Sequence, residues 1–521
     1  MSVDIAHNAL FTDFYQLTMA QLYYKTGLHE KKARFEFFFR HYPDYGSHQA
    51  GYCVFAGLEW FIQWMQKSRF GKEEINYLKS HKGRSGNPLF AEDFLDWLYG
   101  RDMMSGIYMR AVPEGRIVHP QVPLVEAEGG FPMVQMMESS LLNHLNYQTL
   151  IATKASRISE AARHQLTIDF GMRRAQGSGA NAGARGALIG GIDYTSNTGI
   201  SYRLGYPPKG THAHSMVQAF IALGEGELEA FRAYADVYPD DCLLLVDTIN
   251  TLDSGVPNAI RVFQELRRKG HEPVGIRLDS GDLAHLSIQS AKMLNDAGFE
   301  DVKIVLSNQL DEMVVWQIIE QIRTEAGKNR VDPDHLIKRL VYGVGTRLIT
   351  SAGDAALDGI YKLTAMKERD RWIPAVKLSE SAGKIINPGV KDVHRIYDRR
   401  GQANADVLCL QGEKLLNKGQ LMLHHPVDFS KRRMLPRDYI SKTESLLEDI
   451  VRDGKQISAL PSIDEIRTLR SRDMERLDEG VKRLINPHRY HVSLSEKLWN
   501  LKQRSIHDLK QKIQGGVEEN L

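Results

Sequence analysis

Two histidines separated by one residue, His212 and His214, stand in the segment Gly210-Thr211-His212-Ala213-His214-Ser215, and Asp247 closes the apolar run that starts at Cys242. An imidazole oriented by a carboxylate can serve as general base or nucleophile. The two histidines would share one face of an extended segment as metal ligands, but no third ligand lies nearby, which disfavours zinc. Further along, Arg277-Leu278-Asp279-Ser280-Gly281-Asp282 sets two carboxylates around a Ser-Gly turn. That spacing suits ribose hydroxyls or hydrated Mg²⁺. It also suits capping of a following helix, which explains one carboxylate more easily than both. Arg277, two residues before Asp279, faces the same way on a strand, and an inward arginine calls for an anion. Gly343-Val344-Gly345-Thr346 would let backbone N–H groups approach a phosphate with the threonine hydroxyl as a further donor, although a tight turn alone also uses two glycines. No G-x-x-x-x-G-K-[ST] occurs, and the glycines of 177–191 lack dinucleotide spacing, so they point to close packing of a helix.

These groups need elements to gather them. Between about 150 and 350, short apolar runs alternate with segments of helical period. The runs are Leu166–Phe170, Ala187–Ile192, Tyr206–Thr211, Cys242–Asp247, Pro273–Asp279, Val302–Ser307 and Leu340–Gly345. Parallel strands with helical crossovers follow, which predicts an irregular or incomplete β/α barrel. In such folds chemistry sits at the C-terminal strand ends, and the polar clusters fall there, including Asp169-Phe170-Gly171-Met172-Arg173-Arg174 and Asp193-Tyr194-Thr195-Ser196-Asn197. The expected boundaries are 1–125 for the first part of an α/β domain, 126–365 for the barrel, 366–435 for a return to the α/β domain, and 436–521 for a helical C-terminal region. In that last region Ser462 with Glu465 forms a capping-box signature ahead of Ile466, Leu469 and Met474, and Leu498, Leu501, Ile506, Leu509 and Ile513 repeat at helical spacing.

Composition excludes several classes. Lys+Arg 67 against Asp+Glu 65 in 521 residues leaves no basic excess for a nucleic-acid coat. Three scattered cysteines argue against a disulfide scaffold or cysteine-based zinc site. The start, Met1 to Phe11 with Asp4 and His7, lacks the pattern of a secretory signal, and no apolar run reaches membrane length. A cytoplasmic location, with neither nucleic acid nor membrane as partner, is expected.

Taken together, Thr12-Asp13-Phe14-Tyr15-Gln16-Leu17-Thr18-Met19, Phe170-Gly171-Met172-Arg173-Arg174, Gly210 to Ser215, Val246-Asp247-Thr248, Arg277 to Asp282 and Tyr342 to Thr346 occur in one order. In these motifs the chain resembles the nicotinate phosphoribosyltransferase family over nearly its whole length. The resemblance implies a type II phosphoribosyltransferase fold: an irregular α/β barrel, a second α/β domain from both chain ends, and a homodimer with shared active sites. It implies joining of nicotinate to 5-phosphoribosyl 1-diphosphate, giving nicotinate mononucleotide and diphosphate with ATP hydrolysis, in NAD salvage; the alternative is the same chemistry on nicotinamide. By the same resemblance His214 is the transient phosphohistidine and Asp247 its orienting carboxylate. Tyr15, from the partner subunit, and Phe170 sandwich the pyridine ring. Thr211 and Arg277 belong to the nicotinate site, Thr346 with Gly343 and Gly345 to the phosphoribosyl phosphate site, and Arg173 to a phosphate. Asp279 and Asp282 take ribose hydroxyls or Mg²⁺. Ser196 stands where nicotinamide-using relatives carry an aspartate, and would not repel a carboxylate. Ser307-Asn308-Gln309-Leu310 departs from the Gly-Asp-like turn of many relatives.

Overall fold

The computed structural model describes residues 8–379, 382–416 and 419–518, so the first seven residues, read above for a targeting signal, lie outside the described part. The chain divides into two compact units, 1–150 with 356–521, and 151–355.

In the second unit six strands form one parallel sheet. They are β1 (Thr167–Asp169), β2 (Tyr194–Thr195), β3 (Leu243–Leu245), β4 (Gly275–Leu278), β5 (Lys303–Ser307) and β6 (Leu340–Val344), in the spatial order β2-β1-β6-β5-β4-β3. Register ties Leu306 to both Leu278 and Tyr342, and Val344 to Asp169, so the C-terminal ends of neighbouring strands fall level. Their apolar residues, such as Leu244, Ile276, Ile304, Leu306 and Tyr342, are buried, as expected of a parallel sheet covered by helices. Helices α1 (Gly179–Gly190), α2 (His214–Ala222), α3 (Val256–Arg268), α4 (Leu283–Asp296) and α5 (Glu312–Glu325) lie between the strands in the chain. The helical period read from the sequence holds in α3, whose Val256, Ala259, Val262, Phe263 and Leu266 are all buried. Asp282 caps α4 and Asp311 caps α5, each carboxylate accepting two backbone N–H bonds.

Two expected strands are absent. Ala187–Ile192 falls largely in α1, and Tyr206–Thr211 is irregular; the second strand is instead Tyr194–Thr195. The helix wins because its small residues, Ala180, Gly183, Ala184, Gly186 and Ala187, are all buried and allow close approach, the use anticipated for the glycine-rich stretch. The open sheet of six parallel strands is the incomplete form of the β/α barrel expected.

The first unit is a separate mixed α/β body built from both chain ends. One sheet holds seven strands, with Lys32–Phe39 between Gly359–Glu368 and Val125–Gly130. Because those two partners pair here, the unit boundaries fall at 151 and 355 and not at 126 and 365. Phe35, Phe37 and Phe39, the aromatic run of the early sequence, are buried in its core. A second sheet of six strands uses residues 391–495. The C-terminal region carries the anticipated helices, Ile463–Glu475 with its Ser462/Glu465 capping box and Glu496–Glu518, and adds strands such as Ile440–Ser445, Glu448–Arg452 and His491–Ser495. Among the described residues no helix is long and apolar enough to cross a membrane.

Candidate active site

A cleft of about 550 Å³ opens at the C-terminal strand ends of the second unit. Each strand contributes: Phe170 and Arg173 follow β1, Ser196 follows β2, Leu245 ends β3, Arg277 lies in β4 and Asp279 follows it, Ser307 ends β5, and Gly343 lies in β6 with Gly345 and Thr346 following it. Gly210 to His214 closes one side. Phe170, Arg173, Ser196, Thr211, His214, Arg277, Asp279, Gly343, Gly345 and Thr346 are thus brought together as the sequence led one to expect.

The two histidines divide sharply in role. His212 Nε2 accepts the backbone N–H of Leu245 at 3.1 Å, which places its proton on Nδ1, and burial pushes its pKa down to about 4. It is a neutral ring that braces the end of β3 and also lines the cleft. His214 opens α2, and its Nε2 lies 3.1 Å from Asp247 Oδ1. Asp247 does not line the cleft; its side chain is 2% exposed and stands behind the imidazole, as an orienting carboxylate must. Its other oxygen, Oδ2, accepts the backbone N–H of Asp279 at 2.9 Å and the Ser280 hydroxyl at 2.6 Å.

Arg277 is held on three sides. Its Nε donates to Ser307 Oγ (2.9 Å), Nη1 to Thr211 Oγ1 (2.8 Å) and Nη2 to Asp279 Oδ1 (3.1 Å). The guanidinium carbon sits 5.3 Å from the centre of the Phe170 ring, within cation–π range. Phe170 itself is fixed by its backbone N–H to Val344 O (2.8 Å) and by the turn that Asp169 organises. That buried carboxylate accepts from Gly171 N–H (2.7 Å) and Thr195 Oγ1 (2.8 Å), and burial raises its pKa. A flat ring beside a pinned cation can receive a planar anionic ring.

Gly343 is needed for a reason the motif did not disclose. A Cβ there would come within 2.3 Å of Phe170 Cε2, so the absent side chain makes room for the aromatic ring. Asn308 and Gln309, which also line the cleft, adopt consecutive positive φ values of 96° and 51°. Left-handed backbone at two non-glycine residues is strained and concentrates at functional loops. These are the two residues at which the segment departs from a Gly-Asp-like turn, and Asn is among the non-glycine residues enriched in left-handed backbone.

Two expected residues lie elsewhere. Asp282 does not line the cleft: its Oδ1 accepts from Ala284 N–H (3.1 Å) and His285 N–H (3.0 Å), and these bonds lower its pKa. The Asp279/Asp282 pair is therefore not assembled as Mg²⁺ ligands, because helix capping claims the second carboxylate. Among the described residues no cluster of three or more metal-ligating side chains occurs. Asp279 alone fits a cation that arrives with a phosphorylated ligand and keeps most of its waters. Tyr15 belongs to the first unit, in the helix Phe14–Lys25; it is 48% exposed, with its hydroxyl donating to Glu138 Oε2 at 3.1 Å.

Over 513 residues the chain is 38% identical to the nicotinate phosphoribosyltransferase of Bacillus subtilis (strain 168), the match covering 98% of each. The chain belongs to the nicotinate phosphoribosyltransferase family. The Caenorhabditis elegans nicotinate phosphoribosyltransferase is 33% identical, covering 94% of this chain and 92% of that one. Residues 10–146 match the family's nicotinate phosphoribosyltransferase N-terminal domain and 390–502 its C-terminal domain. Human nicotinic acid phosphoribosyltransferase shares the fold with a TM-score of 0.76 at 27% identity, covering 95% of this chain and all of that one. A nicotinate-nucleotide pyrophosphorylase from Pyrococcus furiosus shares the fold alone, with TM-score 0.62 at 21% identity, over 89% of this chain and 94% of that one. The two domain matches of this nicotinate phosphoribosyltransferase family member both fall in the first unit, so the cleft's kinship rests on the whole-length relatives.

Proposed function

We propose that this protein joins nicotinate to 5-phosphoribosyl 1-diphosphate, releasing nicotinate mononucleotide and diphosphate, with ATP consumed through transient phosphorylation of His214. The observation that carries the reading is the pairing of His214 Nε2 with the buried Asp247 in the cleft that also holds Arg277 and Phe170. Asp247 engages Nε2, which leaves Nδ1 as the atom to attack the ATP γ-phosphorus: the Nδ1–P bond forms, the bond to the ADP oxygen breaks, and Asp247 supports the charge left on the ring. His214 is the first residue of a nine-residue helix, where the helix dipole favours a gained negative charge.

In the transfer step the pyridine nitrogen attacks C1 of the ribose as diphosphate departs, through an oxocarbenium-like state. The site's task is to align two anions and a flat ring. Arg277 pairs with the nicotinate carboxylate, Phe170 stacks on the ring, and Ser196 leaves the carboxylate unopposed. Tyr15 of the partner subunit would cover the other face in a homodimer. Thr211 holds Arg277, while Arg173, Gly343, Gly345, Thr346 and the Asn308-Gln309 turn surround the phosphoribosyl group. Asp279 would hold a Mg²⁺ that arrives with the diphosphate, and the ion would neutralise charge on the leaving group. We place the enzyme in the cytoplasm, in salvage of NAD from nicotinate.

The test is product formation with nicotinate and with nicotinamide, each with and without ATP, together with acid-labile labelling from γ-labelled ATP. Expected are turnover of nicotinate, stimulation by ATP, and label lost in His214→Ala. Turnover of nicotinamide but not nicotinate would overturn the assignment.

A further inference from the structure

We propose that Ser280 and Ser307 are positioning residues that separately aim the two halves of the reaction, a proposal that rests on the roles given above to His214 and Arg277. Ser280 acts through Asp247. That carboxylate touches His214 with Oδ1, and its Oδ2 is held by the Ser280 hydroxyl (2.6 Å) and the Asp279 N–H (2.9 Å). With two donors on one oxygen the carboxylate cannot rotate without breaking both, so Oδ1 stays aimed at the imidazole. Gly281, at φ +76°, supplies the left-handed turn after Ser280; a Cβ there would also meet Leu286 Cδ1 at 2.9 Å.

Ser307 acts through Arg277. Its Oγ accepts from Arg277 Nε (2.9 Å) and donates to Asp279 Oδ1, while Asp279 Oδ1 also receives Arg277 Nη2 (3.1 Å). The guanidinium is thereby fixed in plane near the Phe170 ring. Asp279 lies between the two devices, its backbone N–H serving the histidine side and its carboxylate the arginine side. The contacts of the two hydroxyls do not overlap, so deleting either should disturb one half-reaction and spare the other.

The experiment compares Ser280→Ala, Ser280→Thr and Ser307→Ala in the full-length protein. The readouts are the rate of acid-labile label entering His214 from γ-labelled ATP, and the KM for nicotinate. Ser280→Ala should slow labelling about tenfold and shift KM less than about twofold, the loss expected for one hydrogen bond to a charged group. Ser280→Thr, which keeps the hydroxyl, should recover most of the rate. Ser307→Ala should raise KM about tenfold and leave labelling within about twofold, by the same magnitude. Wild-type labelling by Ser280→Ala, or a parallel fall of both readouts in either variant, would overturn the proposal. Absence of label on the unaltered protein overturns the reading of His214 itself, and is recognised before any variant is made.

Discussion

At the scale of single residues the cleft is decided by which hydrogen bond each titratable group finds. His212 and His214 are of one type and two positions apart, yet one accepts a backbone N–H and the other faces a carboxylate. Residue type and spacing could nominate the pair but not distinguish its members, because the distinguishing partners, Leu245 and Asp247, lie on a different strand end. The assignment of His212 predicts a pH effect. Its folded pKa, about 4, is below its ordinary 6.5, so between those values the unfolded chain binds more protons and stability falls as pH falls; below about 4 the loss is complete. Gln can still accept the Leu245 N–H but does not titrate. His212→Gln should therefore show a shallower fall in melting temperature from pH 6.5 to 4 than the parent, measured by circular dichroism. Parallel profiles would remove His212 from the account.

At the scale of elements, the level ends of six parallel strands explain why residues up to 176 positions apart share one cleft, as in Phe170 and Thr346. The strand-end clusters were legible in the sequence because buried parallel strands read as apolar runs that stop abruptly at polar residues. Two segments misled: Ala187–Ile192, since a short apolar run has no period by which to tell a strand from a buried helix, and Tyr206–Thr211, whose Pro207-Pro208 lacks the N–H donors a central strand needs. Gly343 shows a second limit. Its place in a Gly-Val-Gly-Thr strand end suggested phosphate, whereas the nearest atoms to its missing side chain belong to the Phe170 ring. Gly343→Ala should displace that ring, costing about 1–3 kcal/mol of stability as an overpacking change. It should also raise KM for nicotinate by about tenfold, the scale of losing a stacking contact. Melting curves and steady-state kinetics check both; an unchanged KM would take Phe170 out of the nicotinate site.

At the scale of the whole molecule, the proposed homodimer makes the site a joint property of two chains, with Tyr15 and His214 drawn from different ones. Tyr15, half exposed on its helix, has a ring face to offer. Tyr15→Ala and His214→Ala proteins, each of low activity, should then complement when dissociated and mixed. About half the dimers would be mixed and each would hold one intact site, so about a quarter of wild-type activity should return. No recovery, with mixed dimers shown by mass, would place Tyr15 in its own chain's site or in none. By itself the sequence determined the α/β alternation and most of the strand ends whose residues line the cleft, because periodicity and local composition record burial along each element. Only the tertiary structure decided that Asp282 caps a helix, that the expected Asp247 meets His214 at Nε2, that His212 accepts the Leu245 N–H, and that Ser280 and Ser307 hydrogen-bond Asp247 and Arg277. Those outcomes depend on which distant strand supplies the donor or acceptor that a buried polar group must find, and that pairing is not written locally along the chain.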